Sequence, residues 1–299
     1  MKEELFEDFI IKCCELDEWD LRDFLKKELS EAGFSIKEDD YTSRRPDKYK
    51  TIRNLLAVRG NSPRTCLVAH TDVCRDHSYR SQIHQKAKPV IKEISTIFDK
   101  KTRIIQDENN KVQVGGDDRL GVAINTWIAL NTGYDMALLF TTDEEIGAIS
   151  ADYLSLDELN DFDLLIQVDR GNNSNQLVTS ISGVRLCSDS TAKRLINISK
   201  EIGLPRYTVR GLLTDVLAIR SNNKCREAVN MTCGYHNSYG ASANEFINIE
   251  EAKDTLKYVS AIIQDYEMKN IEDIEKVSEL IEESKTAIQS DSIQQASIN

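Results

Sequence analysis

Acidic and imidazole side chains recur in this sequence at one kind of place, just past a short apolar run. His70 and Asp72 follow "TCLVA", Glu144 and Glu145 follow "MALLF", and Asp169 follows "LLIQV". Asp117 and Asp118 open a helical stretch after two glycines, and His236 follows another candidate strand in "TCGYHNSYG". Adjacent carboxylates repel, and each loses hydration near a buried strand end, so such crowding calls for countercharge. No run of Lys or Arg supplies it; Arg119 and Arg170 are the sequence neighbours. Divalent cations would. Carboxylates and neutral imidazoles without thiolate suit catalytic zinc, with manganese or cobalt as substitutes. Two ions roughly 3.5–4 Å apart need one bridging carboxylate and two further ligands each. Two histidines, three ligand carboxylates and one Glu left over as a base fit that inventory.

The elements that must position these groups alternate in type. Apolar residues at helical spacing mark 2–16 and 18–32, with Gly33 as a stop. "TIRNLLAVRG" and "TCLVA" read as strands around an "NSPR" turn, and residues 75–113 are less regular, with short strands and a hairpin turning at Asn109-Asn110. "DDRLGVAINTWIALN" switches to the helical period, "DMALLF" and "DFDLLIQV" are strands, and "SADYLSLDEL" is helix or turn. A strand near 184–188, helices at 190–202 and 214–220, a strand near 227–232 and a long helix from Ile249 to about Tyr266 complete the pattern. Such alternation predicts an α/β fold with a mostly parallel central sheet and helices on both faces, one catalytic domain over 1–268, and a polar helix or tail over 269–299. In an open sheet of this kind ligands gather beyond the carboxyl ends of the strands, where the acids and histidines fall.

Bulk properties exclude several classes. The net charge of −12 over 299 residues argues against nucleic acid and anionic lipid as partners. Seven cysteines without a CxxC pair fit reduced thiols in a cytoplasmic protein, and no segment is long and apolar enough to span a membrane. Without a G-x-x-x-x-G-K-[ST] motif, "LLFTTDEE" is not the acidic strand of a nucleotide hydrolase.

The ordered set "AHTDV", "GGDDRLG", "TTDEEIG", "VDRG" and a late histidine before "NEFINIEEA" resembles the co-catalytic di-zinc exopeptidases, over roughly residues 50–265. The group includes peptidase T and the small bacterial leucine aminopeptidases. The resemblance implies that His70 and Asp169 bind one ion, that Glu145 and His236 bind the second, and that Asp117 bridges them. It makes Glu144 the general base for a metal-activated water, with Asp72 orienting His70 through its other ring nitrogen. Only 66 residues separate Asp169 from His236, too few for the inserted lid of the peptidase T branch, so the lidless architecture is expected. "LLTDVLAIR" resembles a variant of the family's "TDA" motif, and 75–113 is long enough for a flap or a subunit contact.

The function implied is removal of N-terminal residues from peptides or amino-acid amides by a two-metal enzyme, with a homo-oligomer possible. A related amidohydrolase (carboxypeptidase, dipeptidase or N-acyl amino acid deacylase) shares the site chemistry, and a non-catalytic zinc-binding relative is the rival outside enzymes. Taken one at a time, the motifs also admit plainer roles. Asp117-Asp118 is a helix cap, Asp169-Arg170 a surface pair, His70 a structural residue and His236 a solvated one. Asp118 reads as shaping the helix start, Cys74 as a buried thiol, His77 and His84 as exposed polar residues. Tyr235, Asn237, Tyr239 and Asp215 are candidates for the substrate side of the pocket.

Overall fold

Continuous apolar strands bury on both faces, and the centre of this chain is built from such strands. In the computed structural model, which describes residues 5–43, 52–74, 94–109, 111–172, 175–238 and 244–267, β3 (Thr65–His70), β6 (Met136–Thr141) and β11 (Ala228–Thr232) are buried at every position. β7 (Leu164–Arg170) is buried at all but its last. Period-two alternation splits their side chains between two apolar layers. Leu67 and Ala69 of β3 join one cluster with Leu138, Phe140, Ile166 and Val168, whereas Cys66 and Val68 join the other with Ala137, Leu139 and Leu165.

Helices α1 (Phe6–Glu15), α2 (Glu18–Glu31), α3 (Gly116–Asn131) and α7 (Ile249–Glu267) cover the first face. Asp17 caps α2 by accepting from the Asp20 amide at 2.9 Å. The short α4 (Ile149–Asp152) and α6 (Asp215–Ser221) cover the second face, and α5 (Asp189–Glu201) packs on α7. With β1 (Ser35–Glu38), β2 (Leu55–Arg59), β8 (Gln176–Ile181) and β10 (Tyr207–Gly211), the sheet runs β1-β2-β6-β3-β7-β11-β8-β10, and β9 (Val184–Arg185) pairs with β8. The β6-β3-β7-β11 centre is parallel and the β1-β2-β6 margin antiparallel. The expected mostly parallel sheet with helices on both faces is what the chain forms.

This order decides where the site falls. β6, β3 and β7 are parallel neighbours, so Thr141, His70 and Asp169 arrive at the same edge. The described residues between Asp169 and His236 build β8, β9, α5, β10, α6 and β11, all of them parts of this sheet and its helices, and no separate lid is found among them.

A second, antiparallel sheet in the order β12-β13-β5-β4 was not foreseen; it joins β4 (Thr96–Asp99), β5 (Ile104–Asp107), β12 (Tyr235–His236) and β13 (Phe246–Asn248). The hairpin expected at Asn109-Asn110 includes Asn110, which lies outside the described residues; among them β4 and β5 form an antiparallel hairpin. Asp99 makes that turn: its Oδ1 accepts from the amides of Lys101 and Thr102, and Arg103 takes φ 60°. β8 and β10 were also missed, because both are partly exposed and polar. Residues 75–93 of the inserted segment, His77 and His84 within it, Tyr239 and the tail 269–299 lie outside the described residues.

Candidate metal centre

His70 ends β3 and is fully buried. Its Nδ1 lies 2.9 Å from the Asp72 carbonyl and 3.4 Å from Asp72 Oδ1. A proton on Nδ1 satisfies both acceptors and leaves the Nε2 lone pair facing the site. Around Nε2 stand Asp117 Oδ1 at 3.1 Å, Asp169 Oδ1 at 3.6 Å and Glu144 Oε2 at 3.9 Å. Ligand atoms on a tetrahedral ion with bonds near 2.1 Å are about 3.4 Å apart, so this spacing suits a shared cation. A carboxylate oxygen of Asp118 also falls within 4.8 Å of donor atoms of His70 and Asp169.

Asp72 does more than hold His70. Its Oδ1 accepts from the Glu144 amide at 3.1 Å and its Oδ2 from the Glu145 amide at 3.2 Å. One carboxylate therefore ties the end of β3 to the turn after β6. Asp143 enters that turn with φ 58°, and the hydroxyls of Tyr41 (2.6 Å) and Ser43 (2.8 Å) donate to its carboxylate. Among the described residues the Glu144 side chain has no hydrogen-bond partner and is directed at His70.

Asp117 is delivered by an irregular helix start. Gly115 takes φ 84°, a region closed to most side chains, and both aspartates depart from helical φ/ψ. Glu245, almost fully buried, accepts from the amides of Gly115 (2.6 Å) and Asp117 (3.1 Å). Asp118 accepts from the Gly121 amide through Oδ1 and the His70 amide through Oδ2, so it both caps α3 and anchors the end of β3.

Asp169 is held from three sides. Gln167 Nε2 and the Thr214 hydroxyl donate to Oδ2 at 3.1 Å each, and the Tyr235 hydroxyl to Oδ1 at 3.3 Å. Asp215 sits beneath, fully buried, accepting from Thr141 Oγ1 (2.8 Å) and Gln167 Nε2 (3.1 Å). It shares the Gln167 side-chain amide with Asp169, and its charge acts on Glu144.

The electrostatics report a deficit of positive charge. Burial, the largest cause, with Asp169, Asp215 and Asp117 nearby, holds the Glu144 carboxyl well above the usual range. Burial and Asp117 push Glu145 up to about 7, burial raises Asp169 to about 6 and Asp215 to about 7. For His70 burial acts in the opposite direction, but hydrogen bonds with Asp117, Asp169 and Asp72 outweigh it and hold the imidazolium well above its ordinary pKa. Acids that resist ionising around an imidazole that resists neutralising mark a buried concentration of negative charge.

Two candidates have their hydrogen-bond partners outside this convergence, although Glu145 is close enough to Asp117 and His70 to feel their charges. Glu145 faces Cys74, whose amide donates to Oε1 at 3.1 Å and whose thiol donates to Oε2 at 2.7 Å. His236 places Nε2 3.1 Å from Glu251 Oε2 and stacks on Phe246, with centroids 4.8 Å apart at 14°. Glu245, Gln167 and Thr214 were not anticipated from the sequence. They act through hydrogen bonds to main-chain amides and other side chains, which leave no spacing signature.

No protein-family model matches the sequence, and no curated protein matches it either. Solved structures do. A tripeptidase from Staphylococcus aureus superposes with TM-score 0.70 at 13% identity, over 90% of this chain and 100% of that one. Aminopeptidase PepT from Bacillus cereus gives 0.68 at 14%, over 89% and 99%. The chain shares its fold with these solved peptidases. A TET aminopeptidase from a marine-sediment Thaumarchaeota archaeon gives 0.63 at 11% identity, over 91% and 99%.

Proposed function

We propose that the chain is a metal-dependent exopeptidase, an aminopeptidase releasing N-terminal residues from peptides. The observation that carries this reading is the convergence of His70, Asp117 and Asp169 around one point, with Glu144 Oε2 3.9 Å from His70 Nε2. His70 Nε2 and the carboxylates of Asp117 and Asp169 would hold the ion, and this donor set without sulfur suits zinc, cobalt or manganese. A bound divalent ion supplies Lewis-acid polarisation of a peptide carbonyl and makes water a stronger acid.

The chain's own residues do the rest. Glu144 takes the proton of the attacking water at its carboxylate and passes it to the leaving amine. Burial is the chief cause that raises its carboxyl above the ordinary range. Asp72 keeps the Nδ1 proton on His70 and holds the Glu144 amide, so ligand and base move as one unit. The Tyr235 and Thr214 hydroxyls and Gln167 fix the Asp169 carboxylate.

The test is a panel of aminoacyl, N-acyl and dipeptide substrates, assayed with metal-stripped and metal-restored protein. The reading expects cleavage of free-amine substrates only after metal is restored. A strict requirement for the acyl group would instead make the enzyme a deacylase.

A further inference from the structure

The two-ion inventory read from the sequence needs His236 beside Asp117 and Glu145. We infer that this chain's centre is built for one tightly held ion, at His70, Asp117 and Asp169, and that the second position is left without its imidazole. The inference rests on the metal-dependent reading above and narrows it.

Strand geometry carries the argument. Successive side chains of a strand point to opposite faces. In β12 it is Tyr235 that faces the centre, with its hydroxyl 3.3 Å from Asp169 Oδ1. Its ring occupies a slot over two glycines. A Cβ added at Gly116 would come within 2.6 Å of Tyr235 Cβ, and one at Gly171 within 2.4 Å of Cε2. His236 is therefore turned the other way, onto Glu251 and Phe246. That arrangement is itself tied down. β12 pairs with β13 through Tyr235–Ile247 and His236–Phe246, and the Glu251 amide donates to Asn248 Oδ1 at 3.3 Å. Bringing His236 to the centre would lift Tyr235 from its slot and shift the register of this pair by one residue.

Glu145, the other expected ligand of a second ion, has both oxygens engaged by Cys74. Among the described residues no third imidazole exists; His77 and His84 complete the chain's four. The phenol of Tyr235 is thus what the late strand presents to the centre.

The experiment is metal counting on the full chain, stripped with chelator, reloaded with zinc, desalted and measured by plasma mass spectrometry. Wild type, His70→Ala, His236→Ala, His77→Ala and His84→Ala are compared, with circular dichroism to confirm that each variant is folded. The inference expects one equivalent in wild type, its loss in His70→Ala, and no change in the other three. Two equivalents in wild type, with one lost on replacing His236, His77 or His84, would overturn it while leaving the metalloenzyme reading intact. No zinc in folded wild type would overturn both. Cobalt loading gives a second readout, since one tetrahedral ion yields a single visible spectrum that saturates at one equivalent.

Discussion

Replacing Asp72 by Asn separates the centre's ligand from its base without changing shape. The carboxylate serves three donors: the Glu144 amide at 3.1 Å, the Glu145 amide at 3.2 Å and the His70 ring nitrogen at 3.4 Å from Oδ1. Asn keeps one oxygen and turns an NH₂ toward at least one amide that had an acceptor, and a buried donor left unsatisfied costs about 1–3 kcal/mol. His70 does not lose all support, because its Nδ1 also meets the Asp72 main-chain carbonyl at 2.9 Å, which Asn retains. Loss of a partner behind a metal-binding histidine typically costs 10–100-fold in affinity. The retained carbonyl places this variant near the lower end, about tenfold, or about 1.4 kcal/mol. Turnover should fall further than affinity, because the Glu144 amide loses its anchor. Zinc affinity by competition with a chromophoric chelator, alongside kcat at saturating zinc, reads both effects. Wild-type affinity and wild-type kcat together would refute the linkage through Asp72.

Other perturbations follow from the same geometry. Glu144→Gln should keep its zinc and lose kcat by about 10²–10⁴-fold, the usual contribution of a general base; normal peptide cleavage by this variant would remove Glu144 from that role. Gly121→Ala places a Cβ 2.3 Å from Asp118 Oδ1 and 2.4 Å from the Val168 carbonyl. It should lower the melting temperature by an amount equivalent to about 1–3 kcal/mol of overpacking and weaken zinc binding through His70. The pH dependence has a definite sign. Asp169 and Glu145 rise in the folded metal-free protein from 3.8 and 4.5 to about 6 and about 7. Below the ordinary values both states are protonated and nothing differs. As pH rises through that window the unfolded chain releases protons that the folded chain retains, so metal-free protein loses stability. Melting curves with chelator should fall over that range and those with zinc should not; parallel curves would contradict the assignment.

Much of this was legible in the residues because it is written in short-range pattern. Apolar runs ending in His70, Glu144–Glu145 and Asp169 specify both the strands and the edge where their chemistry gathers, and β6-β3-β7 adjacency brings these ends together. Helices at 18–31 and 249–267 followed from their period. What escaped was long-range or conformational. β8 and β10 lack apolar continuity, and β12 is two residues long, too short for any periodic signal. Whether Tyr235 or His236 faces the centre is a one-residue question of register, which turns on pairing with β13 and on the glycine slot and not on any local pattern. Glu245 acts on main-chain amides 130 and 128 residues away, which no local spacing encodes.

The most direct measurement is an anomalous-difference map from crystals of the zinc-loaded protein, collected at the zinc edge. A peak within coordination distance of His70 Nε2, Asp117 and Asp169, with Glu144 beside it, is the predicted result. Zinc bound elsewhere, for instance between His236 and Glu251, with the His70 cluster empty, would contradict the account at its root.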